Sequence, residues 1–187
     1  MAILKMKKLR LLAVRDKKDD NADVPYAGEA ANLDERFLRT PGIALGQSRR
    51  SIVTMGKYAY WNFTHSMSMF KTYDSKTADR INEYEDSVDR MEDKTNNYLV
   101  SVSDENLSDV ESREASHQLK IISEFERISD YSVNLLELAE RANSEHVKFS
   151  EQAMGELDTI SEAVSEIIGM ATESFEHGNY GVALKIE

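Results

Sequence analysis

From Ile43 to Phe70 the apolar side chains return at helical spacing, with Ile52, Met55, Ala59, Phe63 and Phe70 forming a continuous stripe. That spacing predicts a first helix over about Ile43–Phe70, entered after Pro41, whose fixed φ suits an opening helical turn. A second run places Ala78, Ile81, Val88, Thr95 and Leu99 on one seam. Asp74 or Ser75 is its candidate cap, and it closes near Val102. The polar stretch SVSDENLSD then offers Ser108 as the cap of a third helix, with Leu119, Ile122, Val133 and Leu136 as its seam. Phe125, Ile128 and Leu135 widen that face, and the pattern reaches Ala142. Ser150 opens a fourth helix with Glu151 in its first turn, followed by Met154, Leu157, Ile160, Val164, Ile168, Ala171 and Phe175. HGNYG interrupts the periodicity, and the closing VALKIE reads as the start of a fifth helix. Long amphipathic helices on short connections make antiparallel neighbours, so the expected fold is all-α, an up-and-down bundle of three or four helices.

Within that bundle the methionine and aromatic stripe of helix one reads as core packing. Tyr58, Tyr60 and Trp61 lie close together on the same helix. They are expected to pack on helix four, or, left uncovered, to become the seam of a homodimer. Upstream, DDNADVPYAGEAA (Asp19 to Ala31) has no periodicity and reads as a linker. The chain therefore divides into residues 1–32, an arm with its linker, and residues 33–187, the bundle.

Composition sharpens this picture at two points. The chain has 187 residues, 41% of them hydrophobic, which is enough for one core or for two small ones sharing a helix. Cysteine is absent, so disulfides, thiolate metal sites and thiol nucleophiles are excluded, and a metal would need oxygen or imidazole ligands. The net charge of -11 is unevenly spread: seven basic residues stand against Asp16 alone in MAILKMKKLRLLAVRDKK, and the remainder is acidic. A basic, leucine-rich start on an acidic body reads as a membrane-proximal arm, or else as an ordinary amphipathic end. It is too short and too interrupted by lysines to span a bilayer, and no small-residue cleavage site follows. The acidic body argues against nucleic acid as a partner.

The chemistry lies in carboxylates on the faces that should be buried. Stepping by threes and fours from Ala78 through Ile81 lands on Glu85 before reaching Val88, with Asp89 one turn further on and Glu92 after it. In helix three the same steps from Leu119 and Ile122 land on Glu126, and Asp130, Asn134 and Glu137 continue that side. Ionised carboxylates in an apolar setting cost several kcal/mol each unless a cation or proton compensates. Arg90 and Arg127 are near in sequence but point to other sides of their helices. Oxygen-only clusters suit hard or borderline cations such as Mg, Mn, Ca or oxidised iron. The plainer reading is that both stripes lie at the bundle edge and stay solvated.

Nothing in the sequence indicates catalysis. A di-iron carboxylate centre needs two Glu-x-x-His pairs and two further glutamates, whereas Glu114 to His117 supplies one pair, away from the stripes and read as surface. His65, His146 and His177 are scattered, and no glycine-rich phosphate loop occurs.

Taken together, EDSVDRME (Glu85 to Glu92) and ERISDYSVNLLELAER (Glu126 to Arg141) resemble the second- and third-helix motifs of the PhoU family. The lead-in LDERFLRTPGIALGQSRR is similar to the segment that joins the membrane part of bacterial sodium/phosphate cotransporters to their PhoU-like cytoplasmic domain. The resemblance covers Leu33 to Glu187. It implies a three-helix unit followed by an incomplete second one, and Glu85, Asp89, Glu126 and Asp130 as metal ligands, with Asn134 accessory. The metal would be a divalent or trivalent ion such as Fe, Mn, Mg, Zn or Ca. The family often has Gly before the helix-three Asp and frequently His after it, where this chain has Ser129 and Tyr131. The implied function is a non-enzymatic regulatory domain of a sodium-dependent phosphate transporter, cytoplasmic at the inner face of the plasma membrane. Its partners would be the transporter's membrane domain or other phosphate-uptake proteins. Alternatives are a free-standing PhoU-type phosphate-response regulator acting through protein contacts and, from another class, a carboxylate-bridged metal enzyme.

Overall fold

The computed structural model describes residues 33–178. The expected basic arm and linker, residues 1–32, and the expected start of a fifth helix lie outside the described residues. Among those described, the elements are a short 3₁₀ turn, Glu35–Phe37, and four helices: α1 Pro41–Ser68, α2 Ser75–Ser103, α3 Asp109–Ser144 and α4 Glu151–His177. No strand occurs among them. The first four expected helices are present, with ends shifted by one or two residues.

Local chemistry accounts for the boundaries. Pro41 stands in the first turn of α1. The Asp74 carboxylate accepts from the Thr77 amide at the start of α2. Ser108 and Glu111 form a reciprocal capping box on α3, and Ser150 accepts from the Ala153 amide on α4. Each cap satisfies amides that lack an intrahelical partner. At the far end of α4, Gly178 adopts φ +64°, the left-handed conformation that closes a helix without a side-chain clash.

α1 is the central helix. It packs against α2, α3 and α4, while α2 and α3 also pack on one another, so α1–α3 form a three-helix unit with α4 laid along α1. Ile52, Met55, Ala59 and Phe63 are buried as expected, as are Ala78, Ile81, Val88, Thr95 and Leu99 of α2. Gly56 marks the closest approach. A Cβ there would lie 2.8 Å from Phe125 Cζ of α3 and 2.8 Å from Thr172 Oγ1 of α4, so only glycine lets the three helices converge.

Two expectations change. Tyr58 and Trp61 are buried against Tyr84 of α2, with ring centroids at 5.0 and 4.6 Å, while Tyr60 is half-buried. A large ring on α2 closes that side of the core, which periodicity on helix one alone does not reveal. The seam of α4 is also only partly covered. Ile168 and Phe175 are buried, but Ile160 is 58% exposed and Ala171 is exposed, because α4 leans on α1 mainly through its C-terminal half.

Polar groups set the register inside this core. Ser48 donates to Gln118 Oε1 at 2.5 Å, and Gln118 donates to the Leu45 carbonyl at 3.1 Å. Ser51 and Thr95 share a hydrogen bond at 2.8 Å, and Tyr98 donates to Gln47 Oε1 at 2.9 Å. A slip of α1 along α2 or α3 would break these pairs inside the core, where unpaired polar groups are costly.

Candidate metal centre

The two acidic stripes meet where α2 packs on α3. Val88 and Ile122 are fully buried, and this holds the flanking turns of Glu85, Asp89, Glu126 and Asp130 side by side. One ligand oxygen from each of Glu85, Asp89 and Asp130 lies within 4.8 Å of the other two. An oxygen-coordinated cation sits about 2.0–2.6 Å from each ligand, so oxygens this close need only a small side-chain adjustment to touch a single ion. Glu85 is half-buried, while Asp89 is exposed, which leaves an open outer side for water or further ligands.

Glu126, the fourth residue expected from sequence, is not one of this tight trio. It stands one turn before Asp130 and is half-buried. Burial first, then the neighbouring Asp130 and Glu92 charges, push the Glu126 pKa from 4.5 to about 7. Burial and adjacent carboxylates also raise Glu85, chiefly through Asp89 and Asp86, and Asp89, chiefly through Asp130 and Asp86. Glu92 is raised in the same way, with Asp89 the leading neighbour.

The arginines near these acids in sequence do not neutralise them. Arg90 donates to Ser87 Oγ at 2.9 Å and opposes the shift at Asp89 only weakly. Arg127 lies 3.8 Å from Glu124 on its own helix. The seam is therefore a concentration of negative charge that a proton or cation would relieve. Its donors are all carboxylate oxygens, which fits hard cations better than soft ones.

The two departures at the helix-three motif have structural consequences. Ser129 is fully buried and its hydroxyl accepts from Asn62 Nδ2 of α1 at 3.0 Å, a bond that glycine could not make. Tyr131 is 59% exposed, so that position presents its ring to solvent. Asn134 is exposed one turn beyond Asp130. The Glu114–His117 pair is less superficial than its sequence implies. Glu114 pairs with Arg49, and the His117 ring lies 6.2 Å from that of Phe175, so both belong to the contact that fastens α4.

Sequence reasoning found the stripes but not this fastening. Arg49 pairs with Glu114 of α3, donates to the Phe175 carbonyl of α4 at 2.8 Å and lies over the Phe175 ring at 5.1 Å. The available signal was the Arg49–Arg50 pair just before the apolar stripe of α1. At the other end Lys71 pairs with Asp158 at 2.6 Å and Phe70 meets Phe149 edge-on.

No helix among the described residues is long and apolar enough to cross a membrane. Neither the curated proteins nor the solved structures contain a match to the chain. Residues 52–139, which span most of α1, all of α2 and most of α3 and include every carboxylate of the acidic seam, match the family model of the PhoU domain.

Proposed function

We propose that this chain is a non-enzymatic regulatory domain acting in phosphate transport, attached to or working on a sodium-dependent phosphate transporter, and that it binds a metal ion at the α2–α3 seam. The observation that carries the reading is the convergence of Glu85, Asp89 and Asp130 oxygens within 4.8 Å, inside the segment that matches the PhoU domain. Glu85, Asp89 and Asp130 would hold the ion, Glu126 would hold a proton or release it to join them, and Glu92 would add to the field. The ion would supply positive charge, pinning α2 to α3 at that level. A domain whose helix pair is tightened or loosened by ion occupancy has two states that a partner can distinguish. A divalent or trivalent ion with oxygen preference, Mg, Mn, Ca or Fe, suits the donors better than Zn.

The lead-in segment from Leu33 to Arg50 supports a transporter as the partner through its likeness to the segment that follows the membrane part of sodium/phosphate cotransporters. The experiment is phosphate uptake by cells carrying either the wild-type chain with its transporter or the variant Asp89→Asn/Asp130→Asn. The reading predicts altered phosphate control of uptake in the variant with normal protein levels. Unchanged control at equal levels would contradict it.

A further inference from the structure

The outer side of α4 is apolar and has no cover among the described residues. Ile160 and Ile167 are 58% and 43% exposed, and Ala163 and Ala171 are exposed with them. These positions recur at intervals of three and four, so they make one stripe about three turns long, beside the face that packs on α1. α4 also carries seven carboxylates and no lysine or arginine, with Glu156 and Glu166 close to the stripe. An apolar stripe with acidic borders calls for an apolar segment with basic borders. A second copy of α4 would bring the same seven acids and repel the first.

The chain itself contains such a segment. Met1 to Lys18 has seven basic residues and one acid, interspersed with Ile3, Leu4, Leu9, Leu11, Leu12 and Val14. Residues 19–32 separate it from Leu33, and 14 residues can span up to about 46–50 Å. α4, with 27 residues, is about 40 Å long. Its C-terminal end is fastened by Arg49 to the N-terminal part of α1, the end at which the described chain begins. Ile160, the far end of the stripe, stands only about 23 Å of helix from Phe175, well inside the length of the tether. The α2–α3 acids attract the same basic residues, but they offer carboxylates rather than an apolar floor for the leucines.

We propose that Met1–Lys18 docks on the Ile160–Ala171 stripe of α4, making residues 1–18 an intramolecular cover whose displacement exposes α4.

The absence of cysteine allows a direct test on the full chain. A spin label is placed on Ala2→Cys, and amide signals of the dilute protein are recorded with the label active and reduced. Docking predicts loss of signal confined to the Ile160–Ala171 region, restored by high salt, by Lys5→Glu/Lys7→Glu/Lys8→Glu and by Ile167→Asp. Ile167 is exposed, so the last change leaves the fold intact, which the circular dichroism of the variant checks. Signal loss at Glu85–Asp130, or nowhere on the bundle, would overturn the proposal. Loss seen only between differently labelled molecules would assign the stripe to a second copy. If the arm leaves α4 untouched and binds vesicles of anionic lipid, its occupant is a membrane surface and the proposal also fails.

Discussion

Asn62 of α1 donates to the Ser129 hydroxyl of α3 at 3.0 Å, in the fully buried interface directly behind Asp130. The bond ties the central helix to the turn that presents the acidic seam. Asn62 Oδ1 and Ser66 Oγ, one turn apart on α1, have no protein partner there, so Asn62 depends heavily on this contact. Ser129→Gly, which introduces the residue common in the resembling family, leaves the Asn62 amide unpaired and puts glycine inside a helix. The expected cost is about 2 kcal/mol or more. Urea unfolding followed by Trp61 fluorescence checks it, and Ser129→Thr, which keeps the hydroxyl, should cost less than Ser129→Gly.

The pH dependence of stability follows from the seam. Glu126 has a folded pKa of about 7 against an ordinary 4.5, so between those values the folded chain holds more protons than the unfolded one. Stability is then greatest at the acidic edge of that window and declines as pH rises through about 7. The raised Glu85, Asp89 and Glu92 act in the same direction. Asp34, Asp74 and Glu111, held below their ordinary values by Arg36, Thr77 and Ser108, act in the opposite direction, but only in more acidic solution. Metal-free Glu126→Gln should show a flatter profile than wild type and greater stability above neutrality, measured by unfolding across the window.

Much of the fold was legible because the caps and the apolar period agreed. Asp74, Ser108 and Ser150 each begin a helix where their side chains suggested. The acids at Glu85 and Glu126 were visible because they interrupt seams that are otherwise apolar. Periodicity could not show that Asp89 joins Glu85 and Asp130 while Glu126 stands beside the trio, since that depends on how α2 is rotated against α3. Nor could it place Tyr84 against Tyr58 and Trp61, or show that Ile160 is left open. Those outcomes are set by long-range packing, to which a single helix pattern is blind.

Gly56 tests the three-helix convergence. Gly56→Ala improves intrinsic helix propensity, yet its Cβ would meet Phe125 Cζ and both branches of Thr172 at 2.8–3.0 Å. Phe125 and Thr172 are buried and cannot swing aside freely. Overpacking of about 1–3 kcal/mol outweighs the propensity gain of about 1 kcal/mol at most. Hydrogen exchange should quicken in α4 before α2, because α4 has α1 as its main support.

Arg49 tests the fastening of α4. Arg49→Met keeps much of the stem but removes the bond to the Phe175 carbonyl and leaves Glu114 without its cation. A loss of about 1–3 kcal/mol is expected. Faster amide exchange should be concentrated around Phe175 and leave the Asp89–Asp130 region unchanged.

The central claim is that the α2–α3 seam holds a metal ion. Metal-free protein would be equilibrated separately with Mg, Mn, Ca, Fe and Zn, freed of excess ion, and subjected to elemental analysis beside Asp89→Asn/Asp130→Asn. The account predicts stoichiometric retention of an oxygen-preferring ion by the wild type and its loss in the folded variant. Equal retention by both proteins, or none by either, would contradict the claim and leave the carboxylates as a protonated and solvated seam.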